Sequence, residues 1–281
     1  MLVNKIQGVF RPDKDAIGRL VNRKQGSNRA DIKINFDDDT KLHVGFGNRQ
    51  EKHIDILNND VLDMKKINLV YIPPKEIISS TENFVSLYAD YHIAFEETYY
   101  DLARLLERPL KRGANTAEQN RVMKSFEKIV QGSITQKDKN FYLKVPGAGE
   151  FEMGLVSEGY RKLSTLTKDA VLFWDEPETN MNPKMIKPVV DAIIELSKMG
   201  VQVFVTTHDY FVQQCFSLAA TYSNYSKDEK RKLDYQFISL YKDQSEIKSE
   251  YFSHLHDLEH NAVMEEFDQL YDREQELLND N

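Results

Sequence analysis

The chain has 281 residues, a formal net charge of -8, 41% hydrophobic and 29% charged residues. That is the make-up of a folded globular protein with a core of its own, in no need of a disulfide or metal staple. The single cysteine, Cys215, excludes an internal disulfide and points to a reducing compartment. No apolar run approaches about 18 residues, and residues 1–20 carry charges throughout. The sequence therefore predicts no membrane span, no secretory leader and a cytoplasmic location. The acidic balance argues against a protein that coats nucleic acid over its whole surface and leaves a local basic patch open.

In chain order, A-D-I-K-I-N-F at 30–36 alternates polar and apolar residues, Asp37 to Asp39 supply a turn, and K-L-H-V-G-F resumes the alternation. A period of two on both sides of a turn predicts a hairpin with one wet face. I-N-L-V-Y-I at 67–72 predicts a more buried strand, stopped by Pro73 and Pro74. From Thr81 to about Leu106 the pattern is helical and rich in Tyr and Phe, and a second helix is predicted from about Thr116 to Val130. F-Y-L-K-V and E-F-E-M-G-L predict a small hairpin around Pro146, Gly147 and Gly149.

The character then changes. Leu155 to Leu166 reads as helical, opening at Ser157. Ala170 to Trp174 is five apolar residues in a row, which predicts a strand buried on both faces, as in a parallel sheet covered by helices. Pro183 to Met199 reads as an amphipathic helix with Asn182 as N-cap, Pro183 at the first helical position and Gly200 as the stop. Val201 to Thr206 predicts another buried strand. A helix follows from about Tyr210, then a hairpin pairing Y-Q-F-I-S-L-Y with I-K-S-E-Y-F, then an acidic helix from about Asp257 to Leu278. The order helix, strand, helix, strand, helix implies parallel pairing.

Four elements carry chemistry. The strand at 170–174 ends in adjacent acids, Asp175 and Glu176, which places them at the carboxyl edge of the sheet, where open α/β folds bind ligands. One acid can hold a magnesium ion and the next can orient an attacking water. L-V-S-E-G-Y-R-K-L at 155–163 offers a hydroxyl and exposed backbone N–H groups at a helix start, with a dipole that attracts phosphate. The turn Asn180-Met181-Asn182-Pro183 follows the acids. V-F-V-T-T-H-D at 203–209 ends a second strand in Thr206, Thr207 and His208, at the same edge. A histidine one strand from an Asp-Glu pair can hydrogen-bond a terminal phosphate oxygen. His254, His256 and His260 hint at a further metal site, but without a cysteine or a matching second pair. Two basic clusters, Arg19 to Arg29 and Arg104 to Arg112, read as solvated charge before they read as a nucleic-acid contact.

In this order and spacing, these residues resemble the ATP-binding-cassette class of P-loop ATPases, and more closely its soluble branch of SMC-like, RecF-like and bacterial AAA-family ATPases. L-V-S-E-G-Y-R-K-L looks like the signature motif, with Glu158 and Tyr160 where glycine and glutamine are commonest. V-L-F-W-D-E-P-E looks like the Walker B strand, Asn180 to Pro183 like the D-loop, and His208 like the switch histidine. The resemblance implies an α/β P-loop NTPase fold of the cassette type: a mixed central sheet with an inserted helical lobe. Its expected layout is one ATPase domain over 1–281, with sheet core at 1–72 and 141–250, helical lobe at 75–140 and the acidic helix at 251–281. It further implies ATP and Mg2+ as cofactors. Asp175 would support the metal and Glu176 would be the general base. His208 would sense the γ-phosphate, Asn180 and Asn182 would border the nucleotide, and Ser157 and Gly159 would contact nucleotide held by a second subunit. The implied partners are a second copy or another ATPase subunit and an effector protein, with nucleic acid left open and no membrane.

One part of such a site has no counterpart. A P-loop has the form G-x-x-x-x-G-K-[ST], and of the twelve glycines here none is followed by lysine. The expectation is therefore a chain in which the strand–P-loop–helix unit is missing before the first hairpin, so that these residues alone bind ATP poorly. A non-catalytic subunit that docks to a complete ATPase or an effector is the alternative reading.

Overall fold

The computed structural model describes residues 2–22, 26–60, 68–74, 84–91, 93, 95–106, 117, 120–121, 124, 127, 132–137, 140–147, 149–152, 170–179, 181–222, 233–244 and 246–279. The predicted helices at 116–130 and 155–166 fall largely or wholly outside them. The chain divides into two compact units: residues 1–71 with 76–109, and residues 72–75 with 110–281.

The first unit opens with helix α1 (Leu2–Phe10) and two short 3-10 turns. Three antiparallel strands follow, β1 (Arg29–Asn35), β2 (Lys41–Gly47) and β3 (Asp55–Asn59), in the order β1-β2-β3. The predicted hairpin is the β1–β2 pair, in register from Arg29↔Gly47 to Asn35↔Lys41. The third strand was not anticipated; it joins β2 across a register shift at His43/Val44. Ile6, Ile17, Val21, Val44, Phe46 and Ile54 form the core beneath this sheet. Strand β4 (Leu69–Ile72) runs to the unit boundary.

The stretch from Thr81 to Leu106, read as one helix, is two: α2 (Phe84–Tyr91) and α3 (Glu97–Leu106). The break lets Phe95 fold back onto Phe84, with ring centroids 5.5 Å apart. Phe84, Tyr99 and Ala103 form the core of this aromatic corner. Lys5 on α1 pairs with Glu97 at 2.9 Å and with Asp101, both on α3. Gly8 makes room for that contact, because a Cβ there would overlap the Glu97 carboxylate.

In the second unit, β5 (Ser133–Lys137), β6 (Asn140–Val145) and β7 (Gly149–Glu152) form a meander in the order β5-β6-β7. The β6–β7 turn contains the predicted Pro146 and Gly147, and β5 is a strand not predicted from the sequence. The parallel pair is β8 (Val171–Asp175) and β9 (Gln202–Thr206), in register from Val171↔Gln202 to Asp175↔Thr206. Trp174 stands opposite Val205 in that register. Helix α4 (Pro183–Lys198) connects the two strands, as parallel pairing requires. Its start is fixed by Asn182, whose side chain accepts from Lys184 N–H at 3.0 Å, and its end by Gly200 at φ 91°. Ile186, Val190 and Ile194 of α4 pack on Val212 of helix α5 (Tyr210–Thr221).

The parallel strands are less enclosed than their sequence predicts. Leu172 is fully buried, but Phe204 is 41% exposed and lies face to face with Phe173, with centroids 4.6 Å apart. Strand β9 alternates exposed and half-buried residues along its length. An apolar run signals burial on both faces, whereas here the Phe173–Phe204 face is left partly open. The chain continues into the hairpin β10 (Phe237–Asp243) and β11 (Glu246–Phe252), then α6 (Ala262–Asn279). Helix α6 starts after residue 257 because Leu255–Asp257 forms a 3-10 turn and Asn261 Oδ1 takes the cap position, accepting from Val263 N–H at 3.2 Å.

Candidate active site

The site grows out of the β8–β9 register. Because Asp175 pairs with Thr206, the segments that follow both strands emerge side by side at one sheet edge. The Thr206 hydroxyl donates to Asp175 Oδ1. Glu176 N–H donates to Thr206 O at 3.0 Å, which extends the pairing one residue past the strand. There the backbone turns sharply, with Glu176 at φ 47°. The turn swings the Glu176 carboxylate toward the loop after β9. Its Oε1 lies 3.1 Å from His208 Nδ1, and its Oε2 accepts from Thr179 Oγ1 at 3.3 Å.

A second set of contacts ties the same two loops. Thr207 Oγ1 donates to Glu178 Oε1 at 2.6 Å and accepts from Asp209 N–H at 3.0 Å. Asp209 caps α5 by accepting from Val212 N–H at 2.9 Å. The imidazole of His208 is 76% exposed, while the Glu176 carboxylate is 35% exposed. The histidine thus faces solvent with a half-buried acid behind it.

Of the predicted residues, Asp175, Glu176 and His208 come together at this edge. Asn182 lies at the end of the turn and uses its side chain to cap α4. Ser157, Gly159 and Asn180 fall outside the described residues. Glu178 was not singled out, and its only signal is the acid two positions after Glu176 in D-E-P-E. The three histidines near the carboxyl end do not converge. His254 and His256 stack with centroids 5.4 Å apart, while His260 contacts Glu250 at 3.2 Å and stacks on Tyr241.

The donors at the edge are carboxylate oxygens and hydroxyls. Hard oxygen ligands of this kind suit Mg2+ and not a soft metal. Asp175 would hold it, with Thr206 fixing the carboxylate from behind as outer partners of metal ligands do.

Residues 21–212 match the protein family described as "AAA domain, putative AbiEii toxin, Type IV TA system". The chain belongs to this AAA-domain family. Both carboxylates, the D-loop-like turn and His208 lie inside the matched region. The family member is 25% identical over 125 residues to the cell division ATP-binding protein FtsE of Escherichia coli K12, which covers 44% of this chain and 51% of FtsE. The Shigella flexneri protein of the same name matches to the same extent. The chain thus spans about half the length of the curated relatives it matches. Among solved structures, an SmcHead bound to the C-winged helix domain of ScpA superimposes with a TM-score of 0.50 at 14% identity, over 91% of this chain and 86% of that one. At that identity the likeness concerns the fold. The chain is accordingly an AAA-domain family member in sequence and an α/β protein with a parallel strand pair in architecture, with a fold like that of the SMC head. Among the described residues, no helix is long and apolar enough to cross a membrane.

Proposed function

We propose that this chain is a cytoplasmic ATPase subunit of the cassette type, which couples ATP binding and hydrolysis to dimerisation and to a switch in a partner protein or nucleic acid. The observation that carries the reading is the contact between Glu176 and His208 beside Asp175, across two strands in parallel register. Phosphoryl transfer needs little covalent chemistry from the protein; it needs positioned charge. Asp175 would hold Mg2+, whose charge would neutralise the phosphates. Glu176 orients the attacking water and accepts its proton. His208, exposed and backed by Glu176, hydrogen-bonds a terminal phosphate oxygen. Asn180 and Asn182 border the nucleotide, and Ser157 and Gly159 approach the nucleotide held by a second copy, so that hydrolysis depends on assembly. A partner protein is in keeping with the SmcHead neighbour, which was solved bound to a domain of ScpA.

Two measurements test this. Calorimetric titration of residues 1–281 with MgATP is expected to show binding no tighter than the millimolar range, because the phosphates have no Gly-Lys cradle. In a version extended by a strand–P-loop–helix unit, Glu176→Gln should keep ATP binding and lower turnover by about 100-fold or more. Unchanged turnover in Glu176→Gln would remove Glu176 from the catalytic role. The absent Gly-Lys pair also favours a second reading, in which the chain docks to a complete ATPase or an effector without turning over ATP. That reading gains if the extended version binds MgATP tightly but never hydrolyses it.

A further inference from the structure

Glu178 lies two residues beyond Glu176, in the turn that follows β8. Its Oε1 accepts from Thr207 Oγ1 at 2.6 Å, whereas its Oε2 is buried and finds no hydrogen-bond partner among the described residues. A buried polar atom left unpaired bears its desolvation penalty with nothing to offset it. Stability alone is therefore a poor reason for a carboxylate here, and such departures concentrate at functional sites. The side-chain hydrogen bond that Glu178 does make leads to the residues on either side of His208 through Thr207. Thr207 precedes that histidine. Asp209, which follows it, donates its N–H to the Thr207 hydroxyl and caps α5. On the other side, Glu178 O accepts from Met181 N–H at 2.9 Å within the turn. The His208 loop is thus strapped to the turn that carries Glu176, through one carboxylate and one hydroxyl.

We propose that Glu178 is a positioning residue that acts through Thr207, holding the His208 imidazole against the Glu176 carboxylate. The proposal rests on the reading of Glu176 and His208 as a working pair, and adds the group that keeps them in register. His208 Nδ1 lies 3.1 Å from a Glu176 carboxylate oxygen, so Nδ1 is the ring nitrogen whose proton that carboxylate favours in the neutral imidazole. A loop released from Glu178 loses that bias.

The test is long-range 1H–15N correlation of the 15N-labelled 281-residue chain at a pH where the ring is neutral, with His208 assigned by comparison with His208→Gln. The expected parent spectrum shows His208 mainly as the Nδ1–H tautomer. Glu178→Ala and Thr207→Val should each turn that form into the minority, and the double variant should go no further than either single one. Glu178→Gln and Thr207→Ser keep an acceptor and a hydroxyl in place and should retain the parent tautomer. Thr207→Val changes no charge and little volume, so it decides the matter if Glu178→Ala fails to fold. A parent-like His208 in a folded Thr207→Val chain overturns the strap, and so does loss of the Nδ1–H form in Glu178→Gln. Absence of the Nδ1–H form in the parent itself is a different failure: it removes the Glu176–His208 contact on which the proposed function stands. None of these readouts requires ATP.

Discussion

Glu176 occupies φ 47°, a region that costs a residue bearing a Cβ about 1–2 kcal/mol. The proline that follows adds to the cost, since a residue before proline favours extended backbone. The N–H bond to Thr206 O and the two contacts of the carboxylate hold it there. Asn tolerates this backbone where Ala does not. Glu176→Asn is therefore expected to be more stable than Glu176→Ala by about 1 kcal/mol in chemical unfolding, although both lose the carboxylate contacts. Equal stability would show that the backbone angle carries no strain. At this scale the sequence exposes the acids and the histidine, because strand ends of α/β proteins project to one edge. It does not expose the Glu176 angle, since a left-handed residue other than glycine leaves no compositional mark. Nor does it expose the bond from Glu178 to Thr207, whose partners are 29 positions apart in different loops.

Elements were most legible where a cap, a proline and a glycine agree. Helix α4 begins after Asn182, carries Pro183 at its first position and stops at Gly200, as read from its residues. Asn182→Ala would leave Lys184 N–H without its acceptor and should cost about 1 kcal/mol in equilibrium unfolding. A cost near zero would indicate that water replaces the side chain at no loss. Elements that depend on distant partners were less visible. Helix α1 is short and contains Gly8; it is held by Lys5 reaching Glu97 and Asp101, some ninety positions away. Strands β3 and β5 are polar segments that become strands by pairing with β2 and β6. The aromatic run at 84–106 has helical spacing on both sides of its break, and what divides it is the packing of Phe95 on Phe84.

For the molecule as a whole, Glu250 and Lys5 contribute to opposite limbs of its pH profile. The backbone N–H of His260 donates to Glu250 and holds that carboxyl below its usual range, against the opposing effect of burial. A depressed carboxyl contributes stability that is present above the unfolded value of about 4.3 and is lost as pH falls through the folded one. For Lys5, burial pushes the ammonium down, but hydrogen bonds to Asp101 and Glu97 outweigh it and the net shift is upward. A raised lysine contributes stability that is full below the unfolded value of about 10.4 and is lost as pH rises through the folded one. In unfolding measured across pH, Glu250→Gln should flatten the acid limb alone and Lys5→Met the alkaline limb alone. A parent-like acid limb in Glu250→Gln would mean that other carboxylates govern it.

Trp174 is the sole tryptophan of the chain and immediately precedes Asp175 at the end of β8. Its indole is half-buried and stands one register position from the Asp175–Thr206 pair. The molecule therefore carries its own optical reporter. Intrinsic emission excited at the indole band comes from a single fluorophore at the edge of the site, so occupancy there can be followed in real time, without a label, on the unmodified protein.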